Sequence, residues 1–243
     1  MVLRFSAYLS LEAILDWQFV LAYLSATTVV YVIATRAALR RMAPMTEAAV
    51  EAQCAVIGNV GFLGIPMLVL LLGEAAVGPV MMVLAVDLIV FGSLIVILIT
   101  GSRDGRMSPR VLITVTVGLI KNPMIVSISL GLVVSSMNVT IPVPVNEFLG
   151  LLGAAATPGA LFAIGASLAY KSAERVAIAG WLSFCKLVLH PAAVAVAGLF
   201  VFDVDPYAAG VMIADAALPV AGNVYILAKH YVVGPTRVSA SIL

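Results

Sequence analysis

Apolar residues run along this chain in seven long blocks, roughly 18–35, 48–72, 77–100, 121–138, 147–170, 176–202 and 206–228, separated by short polar connections. Runs of about 17 to 25 apolar residues are long enough to cross a hydrocarbon core as helices. The strict apolar–polar alternation that a lipid-facing barrel needs is absent, so the pattern predicts helices. The connections alternate in charge. Arg36, Arg40 and Arg41 follow the first block, and Arg103, Arg106, Arg110 and Lys121 the third. Lys171 and Arg175 follow the fifth, and Lys229, His230 and Arg237 the seventh. The other three connections carry Glu74, Glu147, and the pair Asp203 and Asp205. Basic connections stay on the cytoplasmic side, so the alternation supports both the span count and the orientation.

Composition narrows the class further. Of 243 residues, 63% are hydrophobic and only 10% charged, against about 25% charged in a soluble domain; mean hydropathy is +1.17. The expected partner is therefore the lipid bilayer, and the chain reads as an all-α, multi-pass integral membrane protein. A net charge of +1 gives no case for nucleic acid. Cys54 and Cys185 sit in apolar surroundings and read as small packing residues, not as a disulfide or metal pair.

Two blocks contain residues that a simple anchor would leave out. In "GNVGFLGIP", Gly58, Gly61 and Gly64 weaken the helix and Pro66 removes a backbone donor. In "ADAALPVAGNVYILAKHY", Pro219 and Gly222 do the same, with Asn223 beside them. Gly and Pro in membrane helices also serve close packing or a simple kink. Two interrupted spans, each with Pro, Gly and Asn, point instead to a transporter with internal repeats. Irregular backbone at that depth survives only when buried in protein or lining a cavity, and half-helix ends carry partial charge. Asn59, Gly61, Pro66, Pro219, Asn223 and Tyr225 are the substrate-site candidates on this reading, although Tyr225 serves equally well in packing.

The first fifteen residues are too short and interrupted for a span, with Arg4 and Glu12 inside them, and "GPTRVSASIL" starts what looks like a further helix. The expectation is a chain lacking one helix and most of another at the start and one at the end, hence about ten in the whole. The broken spans then take the fourth and ninth places, equivalent positions in two halves of five. An odd number per half forces opposite orientations, an inverted repeat. Residues 1–105 become the remainder of the first repeat (part of helix 2, helices 3–5) and 106–243 the second (helices 6–9, the start of helix 10). Within the second, Lys121, Asn122 and Pro123 mark the mouth of the fourth block, with 108–119 at the interface, because Pro suits a helix's first turn.

"GNVGFLGIPMLVLLLGE", "LIKNPMIVSISLGLVV", "LGLLGAAATPGALFAIGASLA", "CKLVLHPAAV" and "ALPVAGNVYILAKHYV" follow one another along most of the chain. In series they resemble the auxin efflux carrier family, in its bacterial malonate-type branch. The resemblance implies ten helices in two inverted five-helix repeats, with a scaffold part and a transport part. It also implies that the fourth and ninth helices are broken and cross near the substrate, with Asn59 and Pro66 on the first and Pro219 and Asn223 on the second. A homodimer and a place in the bacterial inner membrane are implied by the resemblance alone.

Ionisable residues at depth suggest function by default. Asp87 lies halfway along its block, Asp215 four residues before Pro219, and Lys186 and His190 four apart before Pro191. These four are candidates for coupling to H+ or Na+. Their plainer roles are hydrogen bonding between helices or capping the kink at Pro191. No cofactor is expected, because His-Glu-x-x-His, the phosphate-binding loop and the dinucleotide fingerprint are missing. "SFCK" fits Ser-x-x-Lys without its companion motifs, and "NVT" at 138–140 fits a glycosylation acceptor. The sequence therefore reads as a secondary carrier for a small organic anion such as malonate, working by alternating access. Its alternatives are a non-transporting fragment of such a carrier and a membrane-embedded enzyme, for which no nucleophile or metal set converges.

Overall fold

The fold, a computed structural model, is described for residues 1–8, 16–104, 109–137, 141–168, 176–231 and 233. The described residues are almost wholly helical and contain no strand. A short α1 (Val2–Ser6) precedes α2 (Trp17–Arg40), whose first turn is capped by the Asp16 carboxylate accepting from the Phe19 N–H at 3.1 Å. Then come α3 (Met45–Val56), α4 (Val60–Leu72) and α5 (Glu74–Ser102). The second part of the chain forms α6 (Pro109–Lys121), α7 (Pro123–Ser136), α8 (Val143–Leu168), α9 (Val176–Val201), α10 (Pro206–Ala216) and α11 (Gly222–His230).

Four of these, α2, α5, α8 and α9, are long and apolar enough to cross a membrane unaided, and the pair α6–α7, bent by 62° at its junction, would add a fifth. The two remaining blocks of the seven are those whose helices are interrupted, at 57–59 and 217–221. The break between α6 and α7 falls at Asn122, whose side-chain oxygen accepts from the N–H groups of Met124 and Ile125 at 2.9 and 3.4 Å. With Pro123 needing no donor partner there, one long helix is replaced by two. Lys171, Arg175, Arg106, Arg237, the 138–140 acceptor and Glu12 lie outside the described residues.

Packing in the centre relies on small side chains. Ala22, Ala26, Ala34 and Ala38 of α2 and Ala48, Ala49, Ala52 and Ala55 of α3 are buried, letting the two backbones approach closely where lipid offers no hydrophobic drive. Beside them Glu51 is buried and paired with Arg41 at the end of α2. Leu70, Leu151, Phe162 and Phe200 lie on the outside and are strongly exposed, as suits a surface solvated by acyl chains.

Widened, π-type turns interrupt the regular helices at Val60–Gly64, Asp87–Phe91, Cys185–Leu189 and Ala197–Val201. The first and third each end two residues before a proline, Pro66 and Pro191. Proline lacks the N–H that would bond one turn back, and widening the preceding turn accommodates the loss without ending the helix.

Candidate transport site at the crossing of the two breaks

The helix breaks cross. After Val56 the chain turns extended at Ile57, and after Ala216 it leaves the helix through Leu218 and Pro219. The two stretches lie antiparallel, bridged between Gly58 and Val220. The Asn59 N–H donates to the Pro219 carbonyl at 2.9 Å, and the Ala221 N–H to the Ile57 carbonyl at 3.2 Å. Four backbone groups freed by the breaks thus satisfy one another, which water cannot do in hydrocarbon. Gly58 permits the approach. A Cβ there would stand 3.2 Å from the Leu218 Cβ, 3.3 Å from the Asp215 carbonyl oxygen and 3.3 Å from the Lys186 Nζ. Gly64 does the same one turn on, its Cβ position lying 2.7 Å from Leu218 Cδ1 and 2.8 Å from Asp215 Oδ1.

Beside the crossing lies a cavity of ≈ 370 Å³. Four carboxamides line it: Gln53 from α3, Asn59 from the first break, Asn122 from the α6–α7 bend and Asn223 from the first turn of α11. The Asn122 oxygen is already engaged in capping, so its NH2 is the part left for the cavity, while the buried Gln53 Oε1 has no partner. Lining residues also come from the first turns of α4, α7 and α11; those of α7 are already capped by Asn122, whereas the uncapped start of α4 and the start of α11 present positive helix ends that favour negative charge. No Lys, Arg or His lines the cavity among the described residues; the one acidic lining residue is Asp87.

Behind the cavity is a buried polar cluster. Tyr23 donates its hydroxyl to Asp87 Oδ1 at 2.9 Å, and Asp87 Oδ2 is buried without a partner. Lys186 directs Nζ at the carbonyl of Ala216, the last residue of α10, and lies 3.4 Å from His190 Nδ1. An ammonium can only donate, so the proton of a neutral His190 belongs on Nε2, which then donates to Thr27 Oγ1 at 3.0 Å. The Tyr23 and His190 rings meet edge to face at 5.8 Å. Both carboxylate oxygens of Asp215 are buried with no hydrogen-bond partner.

The geometry divides the sequence-predicted residues into groups. Asn59, Gly61 and Asn223 line the cavity together with Asp87. Lys186, His190, Asp87 and Asp215 share the buried cluster, none of them more than 4% exposed. Pro219 contributes its carbonyl to the crossing and is itself exposed. Pro219 does not line the cavity, and two further residues stand apart from both cavity and crossing. Pro66 lies in the first turn of the regular part of α4, on a groove shared with Arg4, Leu149 and Gly150. Tyr225 is half-buried and packs against the apolar core. Sequence reasoning passed over Tyr23, Thr27, Gln53 and, as a cavity residue, Asn122. Polar side chains four apart in one apolar block, Tyr23 and Thr27, were the available signal.

A helical bundle of apolar spans, with two broken helices crossing over a largely apolar cavity that carries four carboxamides, is the architecture of a membrane transport protein. The comparison of sequences agrees. The model of the family described as "Membrane transport protein" matches residues 2–243, and the chain belongs to that family, the auxin efflux carrier family. A relative in Rhizobium meliloti (strain 1021), described as "Putative malonate transporter", is 29% identical over 232 residues, which is 93% of this chain and 71% of that protein. These matches point to a transporter and not to an enzyme.

Proposed function

We propose that the chain carries a small organic anion, malonate or another carboxylate, across the membrane by alternating access, with the cavity at the crossing as its binding site. The observation that carries this reading is the lining itself. Four carboxamides and the first turns of α4 and α11 converge on one space, a donor set that holds a carboxylate without a buried basic side chain. A volume of ≈ 370 Å³ lies in the range of sites for small molecules, about 300–1,000 Å³. The name of the Rhizobium meliloti relative favours malonate as the first substrate to try.

The antiparallel crossing of the breaks fits two halves of opposite orientation, 1–105 and 106–243, as inverted repeats. Movement of one set of helices against the other would carry the site between the two faces. Asp87, on the cavity wall with one free oxygen, and Asp215, beside the crossing, are suited to proton coupling and unsuited to an anion when ionised. The test is uptake of radiolabelled malonate into proteoliposomes by the wild type, Asn59→Ala and Asn223→Ala. A hydrogen bond to a charged group is worth about 1.5–3 kcal/mol, so each variant should lose roughly ten- to a hundredfold in apparent affinity. Wild-type affinity in both variants, with folding retained, would place the substrate elsewhere.

A further inference from the structure

We propose that the Lys186 ammonium takes the position of a coupling cation at the end of α10, so that the crossing is locked by a charge the chain itself carries and transport runs without sodium. The inference rests on the carrier reading for its transport consequence and on the buried cluster alone for the site.

The carbonyls at the end of a half-helix inside a transporter bind cations, because they are unpaired within the helix and carry the negative end of its dipole. Here α10 ends at Ala216, and the group on its last carbonyl is the Lys186 Nζ. The same nitrogen lies 3.3 Å from where a Cβ of Gly58 would stand, so it sits at the end of α10 and close beside the first break. Its surroundings are negative. The oxygen bonded to it is the Ala216 carbonyl, while the Asp87 and Asp215 carboxylates attract it without a hydrogen bond or ion pair, Asp215 being 1% exposed with no hydrogen-bond partner on either oxygen and Asp87 having none on Oδ2. The other groups facing it are neutral: His190 at 3.4 Å, held by Thr27, and Tyr23 beside Asp87. Lys186 itself is 1% exposed. A lysine so deep is costly without negative partners, and the helix end and the two carboxylates supply them. The widened turn Cys185–Leu189, set two residues before Pro191, carries Lys186 at this point of α9.

A tethered ammonium and a free cation exclude each other from one site, which makes the test direct. The full chain is purified as wild type, Lys186→Ala, Lys186→Gln and the double variant Lys186→Ala/Asp215→Asn. Thermal unfolding and malonate uptake are then measured in choline, sodium and methylammonium chloride. Wild-type uptake should be the same in choline and sodium, and its melting temperature indifferent to methylammonium. Lys186→Ala should lose at least tenfold in uptake in choline. Methylammonium or sodium should raise its melting temperature saturably, and the double variant should lose that response. Lys186→Gln keeps the bulk and a donor without the charge, and should fold but not transport.

A sodium requirement in the wild type overturns the proposal. So does wild-type uptake by Lys186→Gln, or a Lys186→Ala protein whose melting temperature responds to neither ion. Should the wild type take up no malonate, the malonate reading fails while the melting response still decides the ammonium's place.

Discussion

The two breaks use the same residue types to different ends. In the first, glycine makes the gap. The helix stops ahead of Gly58 and Asn59, and Pro66 comes late enough to sit in the first turn of the regular helix that follows. In the second, Pro219 stands in the gap itself and offers its carbonyl to Asn59. The first gap is buried, Asn59 being 7% exposed, whereas Pro219 and Asn223 are exposed. One break is thus fixed by steric fit against its partner and the other by the chemistry of proline. A crossing needs one strand without side-chain bulk, and Gly58 and Gly64 supply it.

The largest effect should follow from adding bulk to the fixed side. Gly64→Val puts methyl groups where Leu218 and Asp215 already stand within 2.8 Å. Overpacking of this kind costs about 1–3 kcal/mol, and uptake should vanish with it. Gly210→Ala in α10, whose Cβ would meet nothing within 4 Å, should hold or raise the melting temperature, since Gly in a helix interior costs about 0.5–1 kcal/mol relative to Ala. Thermal unfolding of the two purified variants decides it, and equal losses in both would contradict the steric role of Gly64.

A smaller difference separates the asparagines. Both should weaken uptake when cut to Ala, but only Asn59 is buried. Asn223→Ala should leave the melting temperature within the range of ordinary surface changes, about ±0.5 kcal/mol, while Asn59→Ala should lower it measurably. The smallest effect belongs to Tyr225→Phe, whose uptake should match wild type because its side chain does not line the cavity.

Much of this was legible in the letters. The length of the apolar blocks exposes the long apolar helices, and Gly, Pro and Asn within apolar blocks expose both breaks, because each violates what a simple membrane helix needs. Pro66 itself lies off the cavity, because a proline's effect is felt one turn earlier, where the Val60–Gly64 turn absorbs it. Gln53 and Asn122 gave little sign, since each belongs to a helix end whose direction only the packing decides. The contact of Lys186 with the Ala216 carbonyl was hidden for a deeper reason. Its partner is a backbone group, and any residue at 216 would present the same one.

The central claim is that substrate occupies the cavity at the crossing. Cys54 and Cys185 are both buried, so a cysteine placed at the exposed Asn223 can be labelled selectively with a maleimide. Glu74→Cys, at the exposed first residue of α5, serves as the control. In a preparation that takes up malonate, malonate should slow labelling at 223 and leave it unchanged at 74. Equal labelling at 223 with and without saturating malonate would contradict the claim.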